Sequence, residues 1–182
     1  MHKAFTLVEL AVVIFILAVL SGALVPIVMH SIENSNAVKI IYTLDTLKVS
    51  CQHYISDIGG YGREYPYWYQ PAHTYYHRFT LNSGNINWNG PYSERLDANA
   101  NPYWESGMYL YSSAQDFPPV AFGVHNWAWL PYVPEGAAKI IDDHLDKNIW
   151  GDWKTRGKVR YEGGVSGIRV SVWEVWYVDS IY

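Results

Sequence analysis

A single cysteine, Cys51, stands in the 182 residues, so no disulfide closes within one chain and the core has to hold by packing alone. Cys51 falls in an amphipathic helical pattern and reads as a small buried hydrophobe. Charge is also sparse. Charged residues make up 16% of the chain, against about a quarter in an ordinary soluble domain. The net charge of -4 leaves no basic excess, which excludes a nucleic-acid footprint. Lys154, Arg156, Lys158 and Arg160 do alternate, as residues on one strand face would, and read as a solvated face. Signatures of catalysis are missing as well. Gly164 precedes Ser166 at the spacing of a nucleophile elbow, but Ile168 takes the place of the second glycine. There is no phosphate loop, and no enzymatic activity is expected.

Charge vanishes altogether between Leu10 and Ile32, where no Asp, Glu, Lys or Arg occurs. An apolar run of about 20 residues crosses a bilayer as a helix, so a transmembrane segment is expected at about 10–30. Lys3 lies before it, which places the N-terminus in the cytoplasm and the bulk of the chain outside. A cleaved signal peptide would use the small residues Ser21-Gly22-Ala23. A plain signal anchor would keep the segment. Both leave Glu9 unexplained at the front of the run, where a carboxylate is expensive and marks a function with a partner to be named.

The phrase Phe5-Thr6-Leu7-Val8-Glu9-Leu10 resembles the N-terminal signature of type IV pilins and type II secretion pseudopilins. The resemblance implies a prepilin peptidase that cuts between Ala4 and Phe5, removes the leader 1–4 and methylates the new amine. Glu9 becomes the fifth mature residue, and its carboxylate faces the α-amine of Phe5 on a neighbouring subunit. Pairing offsets much of the cost that either charge has in lipid. Ala4 departs from the glycine usual in the family before the cut. Pro26 falls where many major pilins carry a kinking proline. It lacks an N–H and crowds the preceding turn; with Ser21 and Gly22 just before it, the helix is expected to bend or melt locally. The plainer reading is a proline tolerated in a membrane helix. The resemblance also implies a single-pass inner-membrane protein with a periplasmic head. Its partners would be copies of itself or other pilins in a periplasmic or extracellular filament, and an inner-membrane assembly platform.

Beyond the membrane run, Ala37, Ile40, Ile41, Leu44, Leu47, Cys51, Tyr54, Ile55 and Ile58 recur at spacings of three and four. That is the buried stripe of an amphipathic helix, ended by Gly59-Gly60. The predicted fold is α+β: a spine helix over 5–58 packed on a small, mostly antiparallel sheet in a head of residues 59–182. Residues 57–66 resemble the Asp, Gly, Tyr-Pro phrase that closes this helix in pseudopilins. Residues 66–104 read as an ordered loop with short strands. Strands are expected at Met108–Tyr111, within Val120–Val133, and at Lys158–Tyr161, Ile168–Trp173 and Val175–Val178. A short helix opens at Pro134-Glu135-Gly136.

Asp142, Asp143, Asp146 and Asp152 gather around the end of that helix. Pseudopilin heads often bind calcium in a C-terminal loop, so the resemblance implies a calcium site on Asp142, Asp146 and Asp152; a solvated helix end is the alternative. Asp97-Ala98-Asn99-Ala100-Asn101 opens like an EF-hand, but Pro102 and Met108 stand where glycine and the bidentate glutamate belong. A looser metal loop remains open. His73 and His77 are four apart with no third ligand evident, and read as surface or packed histidines. Nine Trp and sixteen Tyr are the least ordinary feature. They either fill a small core or form an aromatic surface for subunit contact or sugar stacking. The expected function is a structural filament subunit. The alternative is a membrane-tethered binding module, a minor pilin or adhesin that recognises a glycan or surface.

Overall fold

The computed structural model describes residues 6–66, 68–70, 72–112, 126–146, 153–154 and 157–173. Helix α1 spans Leu7–Ile58, followed by β1 (Tyr109–Tyr111), β2 (Asn126–Leu130), α2 (Glu135–Leu145), β3 (Val159–Gly163), a 3-10 turn (Gly164–Ser166) and β4 (Gly167–Trp173). The chain divides into two compact units between Ser35 and Asn36.

In the first unit α1 is apolar on every face. Leu10, Ile14, Phe15, Leu17, Leu20 and Leu24 are all exposed, and the most apolar stretch has none of its residues buried. Exposure of this kind is costly in water, at about 25 cal/mol per Å² of apolar surface. The helix is long and apolar enough to cross a membrane. Pro26 lies inside it, and the helix continues through Ser21, Gly22 and Pro26 without a melted turn. The residue four before Pro26, whose carbonyl loses a partner and meets the ring, is Gly22. No atom crowds the side of Gly22 where a side chain would sit.

In the second unit the same helix turns amphipathic. Ala37, Ile40, Ile41, Leu44, Leu47, Ser50, Cys51 and Tyr54 are buried. This is the stripe expected from the spacing. Burial pushes the Cys51 thiol up, away from the reactive thiolate.

The sheet is four-stranded in the order β1-β2-β4-β3, with every neighbouring pair antiparallel. Register sorts its side chains into two faces. Leu110, Ala128, Val170 and Val159 form one buried row, and Leu130 and Ile168 a second. These join the α1 stripe, Phe79, and Ala137, Ala138 and Ile141 of α2 in one core. The opposite face carries Tyr109 beside Trp129 beside Arg169, and Tyr111 beside Trp127 beside Ser171. Gly167, which turns the chain into β4, has φ +59°, and a Cβ there would run into the Leu130 carbonyl oxygen.

Each described α-helix and strand overlaps a window expected from the sequence, with β3 running on to Gly163 and β4 starting one residue early at Gly167. The loop departs from expectation. Among the described residues of 66–104 there is no strand; turns prevail, and pairing is confined to single bridges from Glu64 to His77 and to Leu110. The basic series is also not one strand face. Because β3 starts at Val159, Lys154 precedes it and pairs with Glu135 at 2.6 Å. Arg156 and Val175–Val178 lie outside the described residues.

Candidate functional site

The described chain opens on a reciprocal cap. The Thr6 N–H and hydroxyl both donate to Glu9 Oε2 at 2.8 Å, and the Glu9 N–H donates to Thr6 Oγ1 at 3.2 Å. This is a capping box, a Thr-x-x-Glu motif that satisfies amides left over at a helix start. It holds the Glu9 carboxylate at the start of the charge-free stretch of α1 between Leu10 and Ile32, with Oε1 taking no part in the cap. Ala4 and Phe5, the processing residues of the sequence reading, lie outside the described residues.

Among the described residues of the head, Glu64 and His77 form an enclosed ionisable pair. Glu64 and His77 are each 1% exposed. Glu64 Oε1 accepts from the Thr80 hydroxyl and faces His77 Nδ1, both at 2.9 Å. Oε2 accepts from the amides of Phe79 (3.0 Å) and Thr80 (3.2 Å). His77 Nε2 lies 2.9 Å from the Tyr69 carbonyl oxygen. A carbonyl only accepts, so Nε2 carries a hydrogen. The Nδ1–Oε1 contact then holds one proton, and the pair is neutral as a whole wherever that proton rests. Burial pushes the Glu64 carboxyl up, while hydrogen bonds from His77, Thr80 and Phe79 and the His77 charge pull it back. A cleft of about 400 Å³ borders His77, Thr80 and Arg95. With both ring nitrogens engaged, His77 has no lone pair to offer as a base there. The cluster is a staple. It closes residues 64–80 on themselves, while the Glu64 backbone exchanges hydrogen bonds with Leu110 at 2.9 and 2.7 Å.

That staple lays the tyrosine-rich loop over the outer face of the sheet. Tyr65 has the rings of Tyr69, Tyr76, Tyr109 and Tyr111 around it at 5.1–5.3 Å. Beneath, Tyr111 stacks on Trp127 at 4.2 Å and Tyr109 on Trp129 at 5.2 Å. Tyr65, Tyr109 and Trp127 are buried, Tyr111 and Trp129 half-buried, and Trp68, Tyr75 and Tyr132 exposed. Each aromatic pair adds about 0.5–1.5 kcal/mol beyond the area it buries. Among the described residues, most of the aromatic rings of this face therefore serve packing. A cleft of about 360 Å³ remains, lined by Tyr65, Tyr111, Trp127, Trp129 and Arg169. The Trp129 indole N–H is spent on the Ser166 carbonyl at 2.7 Å. Arg169 Nη1 pairs with Glu162 at 3.0 Å, and its guanidinium carbon lies 6.0 Å from the Trp127 ring centre.

Asp143 is exposed, but Asp142 of α2 and Asp146 at its C-cap are not a solvated helix end. Asp142 and Asp146 are both buried. Asp146 Oδ2 accepts from the backbone amides of Lys158 (2.6 Å) and Val159 (3.0 Å), which ties the end of α2 to the start of β3. Gly157, at φ +85°, leaves room for this carboxylate, which a Cβ would strike. Burial, then the neighbouring Asp146, push the Asp142 carboxyl up to about 7. Asp152 lies outside the described residues. No three His, Cys, Asp or Glu side chains converge among the described residues. The Asp97–Asn101 loop is a backbone device: Asp97 Oδ1 accepts from the Asn99 amide at 3.2 Å. The buried Asn101 amide group donates to the carbonyls of Gly107 (3.3 Å) and Pro131 (3.0 Å). His73 is exposed, away from the staple that holds His77.

The Thr-x-x-Glu spacing before an apolar run is a legible cap signal, yet Thr6 escaped the sequence reading because Glu9 had already been assigned a partner. Glu64 carried no signal: its partners lie 13–16 residues away in a stretch without periodicity.

Residues 1–25 match the family model of the prokaryotic N-terminal methylation motif. No curated protein and no solved structure matches the chain. The segment that holds Glu9 at the head of an exposed apolar helix is thus the prepilin motif of type IV pilins and pseudopilins.

Proposed function

We propose that this chain is a structural subunit of a type IV pilus or type II secretion-like filament. A prepilin peptidase processes it between Ala4 and Phe5, and it assembles through its N-terminal helix with copies of itself or other pilins. Proteins with this motif are structural rather than enzymatic. The observation that carries the reading is a carboxylate at the mouth of a charge-free apolar stretch of helix, within a matched methylation motif. In lipid, Glu9 needs a cation, and the Phe5 amine freed by processing on a neighbouring subunit supplies one. Before assembly the chain is a single-pass inner-membrane protein, N-terminus in the cytoplasm and head in the periplasm. Gly22 and Pro26 soften the helix. Further along α1, Val38, Tyr42 and Val49 are exposed, which offers neighbours an apolar contact.

Glu9→Gln tests the pairing. The variant keeps shape and cap and loses the charge. Processing should continue while filaments, counted by electron microscopy, disappear. Filaments at normal abundance would contradict the proposed role of Glu9.

A second reading, recognition by the aromatic head of a membrane-tethered minor subunit, is favoured by the cleft beside Arg169.

A further inference from the structure

We propose that the cleft between Tyr65, Tyr111, Trp127, Trp129 and Arg169 is a binding site for one hexuronate unit of an acidic polysaccharide. The inference rests on the recognition reading of the head and is independent of filament assembly.

A solvated outer sheet face ordinarily carries polar side chains. This one carries four aromatic rings, and the stapled loop that covers them still leaves about 360 Å³ open. That volume sits at the small end of ligand sites, which are mostly apolar walls with a few placed polar groups. Here the half-buried rings of Tyr111 and Trp129, backed by the buried Tyr65 and Trp127, supply the ring surface, and it matches the apolar C–H face of a pyranose. The staple and the cross-strand stacks fix them before any ligand arrives, so little ordering is left to be done on binding.

Charge selects among sugars. Arg169 is the one cation in the lining. Among the described residues its ion-pair partner is Glu162, reached through a single nitrogen, Nη1. A guanidinium presents five N–H donors in a planar fork, so the pair with Glu162 orients the fork and leaves donors for a second carboxylate. Trp127 lies along the same guanidinium, an arrangement that favours arginine over lysine. The Trp129 N–H points elsewhere, to Ser166, so this indole contributes its ring surface. A ligand with a flat apolar face and an adjoining carboxylate satisfies both halves of the site. A neutral hexose satisfies only one.

The test uses the full chain in detergent micelles. Oligogalacturonate is the probe, and its methyl ester is the control that keeps every ring and removes the charge. Binding is followed by saturation-transfer NMR and calorimetry. The acid should bind about tenfold more tightly than the ester, the size of one charge-assisted contact. Arg169→Gln should erase that preference, and Trp129→Ala should remove binding of both, with the thermal transition retained. Equal binding of acid and ester in the native chain, or a preference that survives Arg169→Gln, overturns the assignment to an acidic sugar while leaving a recognition head in place. No binding of either probe overturns the site itself. A proline-rich peptide that binds the cleft in place of both probes overturns it too.

Discussion

One helix serves two environments. Between Leu10 and Ile32 α1 carries no charge and leaves its side chains exposed; from Ala37 to Tyr54 it buries one stripe and leaves its other faces outside the core. The apolar content is high in both halves, but the period differs. A helix apolar on every side needs an apolar solvent or neighbours on every side, whereas a stripe needs a single partner surface. The contrast extends to charge. In the first unit an acid stands at the helix mouth, bonded to the Thr6 cap of its own helix, and only the proposed pairing would give it a partner outside the unit. In the second, the buried acids find partners within the head: Glu64 in His77 and Thr80, Asp146 in the amides of β3.

Breaking an internal partner should have the largest effect. His77→Ala leaves the Glu64 carboxylate buried without its proton-sharing neighbour, a change that costs about 3–5 kcal/mol. The head should melt at a distinctly lower temperature in differential scanning calorimetry, with membrane association unchanged. The converse variant, Leu17→Arg, sets a charge in the middle of the apolar run. Insertion should lose about 2.5–3.5 kcal/mol, read by fractionation between membrane and soluble extract, while the head melts as before. Exchange of these two phenotypes would dissolve the contrast between the units.

Asp142 sharpens the comparison through pH. Its ordinary value is 3.8, and burial beside Asp146 raises it to about 7 in the folded head. Between these values the folded head keeps a proton that the unfolded chain has released. The contribution is therefore full below about 4 and is lost as pH rises through about 7. The thermal transition of the head should fall over that window, and Asp142→Asn should flatten the decline. A transition that climbs from pH 4 to 7 in both proteins would refute the raised Asp142 carboxyl. The smallest effect belongs to the cap: Thr6→Ala should cost the helix start about 1 kcal/mol, visible as faster amide exchange confined to its first turn.

How much was legible follows from where the signal lay. The α1 stripe was legible because apolar residues at spacings of three and four leave little choice of buried face. Strands β1 to β4 and helix α2 overlapped their windows for similar reasons. Residues 66–104 were not legible, because what orders them is long-range: Glu64 reaching His77 and Thr80, Tyr65 against Tyr109 and Tyr111. Short strands were expected within that loop, but among its described residues a staple of side-chain bonds stands in place of a ladder. The solvated-end reading of Asp142 and Asp146 gave way to burial, since sequence gives their common helix face but not the strand that packs on it. The aromatic cleft needed the register of Tyr111 with Trp127 and of Trp129 with Arg169, and alternation alone cannot align separate strands.

The most direct measurement is mass spectrometry of the N-terminus after expression beside an active prepilin peptidase. The expected product begins at Phe5 and carries a methyl group on its amine. A chain that still begins at Met1, or one cut after the small residues Ser21-Gly22-Ala23, would contradict processing at the prepilin motif and with it the pairing of Glu9 to a freed amine.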